Sequence, residues 1–66
     1  MNVTFERATT VEVKGVIENA AAMLSLESAV GYLKHMLPNW FIYKGGHHIA
    51  IHLTRQTPRY AIIYEK

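Results

Sequence analysis

The chain has sixty-six residues and no cysteine, half of it is hydrophobic, and its formal net charge is +2 at pH 7. That length allows one domain, residues 1–66, with a single core, and the missing thiols exclude disulfides, thiol nucleophiles and thiolate metal sites, which fits a reducing cytoplasm. No apolar run approaches the roughly 18 residues of a membrane span, and the opening MNVTFERATT, with Glu6 beside Arg7, lacks the apolar stretch of a signal peptide.

Charge is divided between the two halves. Residues 1–31 carry Glu6, Glu12, Glu18 and Glu27 against Arg7 and Lys14, whereas residues 32–66 carry Lys34, Lys44, Arg55, Arg59 and Lys66 against Glu65. All four histidines lie in the basic half. A pole this modest attracts phosphates or an acidic protein surface, although dedicated nucleic-acid binders carry denser clusters.

In chain order, NVTFE alternates, with Val3 and Phe5 on one side, and predicts a short strand. Thr9 followed by Glu12 makes a capping-box pattern. Beyond it Val13, Val16, Ile17, Ala20, Ala21 and Leu24 recur at helical spacing. A strand through TVEVKGVI competes over residues 10–23, supported by Gly15 and the β-branched run, while the alanines favour the helix. The helix is the preferred reading.

A second helix, Ser25 to Leu37, has a Ser25 cap and a stripe of Leu26, Ala29, Val30, Leu33 and Leu37. Glu27 in its first turn and Lys34 and His35 near its end suit the helix dipole, and Pro38-Asn39 stops it. Two adjacent helices raise a helix-turn-helix, but this one exposes Glu27, Ser28, Gly31, Tyr32 and His35, which is poor chemistry for a DNA groove.

From Trp40 the runs WFIYK, HHIAIHL and RYAIIYE read as three strands, divided by Gly45-Gly46 and by TRQTP. The expected fold is α+β: a short strand, one or two helices and a three-stranded antiparallel meander, in the order β-α-α-β-β-β. A two-residue Gly-Gly turn with positive φ would pair Lys44 with His47, Tyr43 with His48, Ile42 with Ile49 and Trp40 with Ile51. The core face then holds Trp40, Ile42, Ile49, Ile51 and Leu53, with His47 at its turn end.

The other face holds Phe41, Tyr43, His48, Ala50 and His52. His48 and His52 stand about 13 Å apart along a strand, too far to share one zinc, so no metal and no cofactor are expected. Tyr60 and Tyr64 join this face if they pair beside His52 and His48, and a one-residue slip would turn both inward. The TRQTP loop leaves that register open.

Trp40 and Lys44-Gly45-Gly46-His47-His48, following a helix, resemble the HicA toxins, small mRNA interferases of double-stranded-RNA-binding-domain type. Gly46 stands where that family usually has serine. The resemblance implies His47 as the catalytic acid/base, with Lys44 and either Arg55 or Arg59 steadying phosphate.

The preferred expectation is non-enzymatic: a small regulator or inhibitor of phage or mobile-element type, binding through its sheet. Its binding residues would be Phe41, Tyr43, His48, His52, Arg55, Arg59, Tyr60 and Tyr64. A protein partner is expected, with RNA as the alternative and no membrane. Surplus apolar surface in so small a domain also suggests a homodimer.

Overall fold

The computed structural model describes residues 1–8 and 10–65. Its elements run β1 (Asn2–Phe5), α1 (Val11–Ala21), α2 (Leu26–Met36), β2 (Phe41–Lys44), β3 (His48–His52) and β4 (Ala61–Tyr64). The fold is therefore α+β in the order β-α-α-β-β-β. The four strands form one antiparallel sheet ordered β1-β4-β3-β2. The meander is thus extended by β1, which lies beside the last strand in sequence and leaves β1 and β2 as the two edges.

Residues 11–21 are helical, so the alanine-rich segment prevails over the competing strand. The cap is Thr10, whose Oγ1 accepts the Val13 N–H at 3.4 Å; the Thr9 capping box lies outside the described residues. The helix ends at Ala21, and Leu24, expected on its buried stripe, is fully exposed in the link to α2. Past the helix end, 3.6-residue spacing no longer sets a side chain's direction. α2 follows its sequence signals closely. The Ser25 Oγ accepts the Ser28 N–H at 3.1 Å, and Leu37 ends the helix before Pro38.

Both helices cover one face of the sheet, α1 toward β1 and α2 toward β2 and β3. Ile17, Leu33, Ile49, Ile51 and Ile63 are the largest fully buried side chains between the layers. Val3, Phe5 and Ile42 pack against them from the strands. Each fully buried aliphatic side chain contributes about 1.5–3 kcal/mol. Leu53 is a correction: it falls beyond the end of β3 and is exposed rather than core.

The hairpin register also differs from expectation. Phe41 faces His52, Ile42 faces Ile51, Tyr43 faces Ala50 and Lys44 faces Ile49. The Gly45 N–H donates to the His48 carbonyl at 2.8 Å, so Gly46 and His47 form the turn. No described glycine has positive φ. Gly45 serves another purpose, because a Cβ there would collide with the His48 ring. The pairing has slipped by two residues, and a slip of two keeps every side chain on its expected face.

Candidate binding face

The sheet face away from the helices is built from alternate residues of all four strands. β1 supplies Asn2 and Thr4, β4 supplies Ile62 and Tyr64, β3 supplies His48, Ala50 and His52, and β2 supplies Phe41 and Tyr43. His48 pairs directly with Tyr64, the register that sequence left open. Rings therefore stand on three consecutive strands. Tyr43 is 49% exposed and Tyr64 37%; Ala50 and Ile62 continue the row of Tyr43 across β3 and β4, and Ile62, two residues before Tyr64, is only 5% exposed.

Local contacts hold several of these rings in place. The Tyr43 and His52 rings meet edge-on, with centroids 5.5 Å apart. The His52 Nδ1 lies 3.2 Å from the Thr57 carbonyl, which can only accept, so Nδ1 carries the proton in this contact. The guanidinium of Arg55 lies 5.2 Å from the centre of the Phe41 ring, a cation–π contact.

Arg55 is carried by the polar TRQTP loop between β3 and β4. Thr54 and Thr57 fasten that loop to each other. The Thr54 N–H donates to the Thr57 Oγ1, and the Thr57 N–H donates to the Thr54 Oγ1, both at 3.1 Å. The signal was the Thr-x-x-Thr spacing, which lets each hydroxyl reach nearby backbone.

Two expected site residues are placed elsewhere. Tyr60 lies just before β4, is 8% exposed and packs edge-on against Trp40 at 4.7 Å, within the core. Strand alternation does not govern a residue outside the strand, so Tyr60 leaves the binding set. Arg59 is held by Glu6 through two bonds, Nε to Oε1 at 3.0 Å and Nη2 to Oε2 at 2.8 Å. That hydrogen-bonded pairing lowers the Glu6 pKa and raises that of Arg59. Arg59 is a clasp between β1 and the start of β4 rather than a free cation.

His47 stands in the exposed turn, on the side of the helix link, with Nδ1 2.8 Å from the Glu65 Oε1. Arg55 and Arg59 follow the opposite end of β3, whose length separates them from His47 by about 13 Å or more. Of the residues assigned to a ribonuclease, the arginines are therefore not brought to His47, whereas Lys44 ends β2 beside the same turn. Among the described residues no three His, Cys, Asp or Glu side chains gather as a metal site.

The acidic side chains are distributed one-sidedly. No strand contains one: Glu12, Glu18 and Glu27 are on or at the helices, and Glu6 and Glu65 flank the sheet. Each flanking carboxylate already has a hydrogen-bond partner, Arg59 for Glu6 and the His47 ring for Glu65.

At the β2 edge the aromatic face runs into a cleft of about 380 Å³ lined by Lys34, Trp40, Phe41, Tyr43 and Arg55 among others. Lys34 and Trp40 were absent from the expected site because they belong to α2 and to the sheet's other side. Only the fold brings them to this edge.

No protein-family model, curated protein or solved structure matches the chain, so the local likeness to HicA toxins gains no support from them. No helix among the described residues is long and apolar enough to cross a membrane.

Proposed function

We propose that this is a non-enzymatic binding protein whose working surface is the sheet face left uncovered by the helices. One observation carries the reading: rings on β2, β3 and β4 stand around Ala50, with the apolar Ile62 beside it and no carboxylate among them. Such a surface can bury aromatic area without desolvating an unpaired charge, the chemistry of an interface centre. A chain this small regulates or inhibits by occupying what it binds.

Hydroxyl-radical footprinting with and without cell lysate tests the reading. Tyr43 and Tyr64 should lose oxidation on addition of lysate, while Leu24 in the helix link should not. Equal change at all three positions, or none, would remove this face from consideration.

A ribonuclease centred on His47 has one observation in its favour, the Glu65 carboxylate that orients Nδ1. Of the cations assigned to phosphate, Arg55 and Arg59 follow the far end of β3, and Lys44, at the turn end of β2, places its Nζ on the Gly45 carbonyl.

A further inference from the structure

Resting on the reading of the open face as the working surface, we infer that its occupant is single-stranded nucleic acid, with a phosphate seated between Lys34 and Arg55 at the β2 edge. Three features support this occupant together.

The first is charge. The five side-chain carboxylates lie on the helices or are hydrogen-bonded to Arg59 and His47 at the sheet's flanks, so among the described residues no unpartnered carboxylate faces a polyanion on the open face. The second is the cleft, whose lining includes two cations and the rings of Trp40, Phe41 and Tyr43, with no acid. The third is continuity. Phe41 and Tyr43 belong to both the cleft and the open face, so a strand held by a phosphate at the edge can lay its next bases toward His52 and Tyr64. Aromatic rings on a sheet accept any base because every base has a π-face, while a cation at the rim fixes the backbone.

Arg55 is suited to this role by its seat. It already lies on the Phe41 ring, so its charge is held at the rim of the face, and the paired threonines order its loop. Duplex is a poor fit. Its bases are stacked on one another, and an aromatic surface without a protruding helix or ribbon reaches few base edges.

Fluorescence anisotropy with labelled twelve-nucleotide oligouridylate, oligodeoxythymidylate and a DNA duplex tests the inference, with 50 and 200 mM KCl as the salt arms. Both single strands should bind, the duplex at least about tenfold more weakly, and binding should fall with salt. Tyr43→Ala should weaken binding by about 5- to 150-fold, as expected for loss of one stacked base. Lys34→Ala and Arg55→Ala should each reduce the salt slope by about 0.7, the value for one phosphate contact on a single strand. Glu18→Gln, on the helix layer, should change nothing. Trp40, the single tryptophan, should change its emission as the cleft fills.

Failure of both single strands to bind at 50 mM KCl overturns the inference, as does binding insensitive to Tyr43→Ala and Arg55→Ala. If lysate still protects Tyr43 and Tyr64 in that case, the binding face stands and its partner is a protein. If they are protected in the purified protein alone and sedimentation gives a dimer, the occupant is a second copy. Either result excludes nucleic acid.

Discussion

The imidazole of His48 lies over Gly45 across the β2–β3 turn, in the space that a Cβ on residue 45 would need. This contact distinguishes two adjacent glycines that look equivalent in the sequence. Gly45→Ala forces either the ring or the hairpin backbone to move, and overpacking of this kind costs about 1–3 kcal/mol. Gly46 has open space around it and no positive φ, so Gly46→Ala should change stability by about 0.5 kcal/mol or less. Urea unfolding of the two variants checks the contrast. Equal losses would restore the turn in which both glycines supply positive φ.

Leu33 and Leu24 make a second contrasting pair. Leu33 is fully buried between α2 and the sheet, so Leu33→Ala should cost about 2–5 kcal/mol, enough to unfold much of a domain this small. Leu24 contacts solvent on all sides, and Leu24→Ala should fall within about 0.5 kcal/mol of the parent. Thermal unfolding followed by circular dichroism gives both values. A large loss at Leu24 would mean that the link between the helices packs where the structure leaves it open.

The Glu6–Arg59 clasp makes stability depend on pH in one direction. The pairing lowers the Glu6 pKa below its ordinary value of 4.5 in the folded state. The folded protein thus holds this carboxylate's proton less tightly than the unfolded chain. The contribution is complete above that ordinary value and is lost as pH falls through the lower, folded one. Glu6→Gln should remove this part of the acid-side decline and leave the pH 7–8 range flat. Unfolding midpoints measured from pH 7 down to pH 3 would show it, and parallel curves for parent and variant would rule the clasp out as a stabilising contact.

Much of this architecture was legible because each signal is local. Ser25, the Leu26/Leu33/Leu37 stripe and Pro38 together define α2 within a single stretch of chain. The two faces of the hairpin were legible for a different reason: strand alternation has period two, so a register wrong by two residues still assigns Ile49 inward and His48 outward. What remained hidden depends on neighbours distant in sequence. Nothing near Gly45 announces that the His48 ring will settle on it, nor does Arg59 signal Glu6, 53 residues away. Tyr60 was misplaced because alternation was extended one residue beyond the strand that enforces it. Lys34 joins Arg55 only once α2 packs over β2.

His47 decides between binding and catalysis at the turn. A histidine oriented by a carboxylate has the first element of a general base, and His47 with Glu65 meets that description. Phosphodiester cleavage also needs positive charge where the phosphorane develops. The arginines are at the far end of β3, and the Lys44 Nζ donates to its neighbour's carbonyl at Gly45, 3.3 Å away. Purified protein should therefore leave a labelled RNA intact over hours at pH 7, and its expression should not arrest growth of a bacterial host. His47→Ala should behave like the parent in both assays, and it should bind oligouridylate as the parent does, because the turn lies off the ring-bearing strands. RNA cleavage that His47→Ala abolishes, with the fold retained by circular dichroism, would make the turn an active site and the open face a substrate platform.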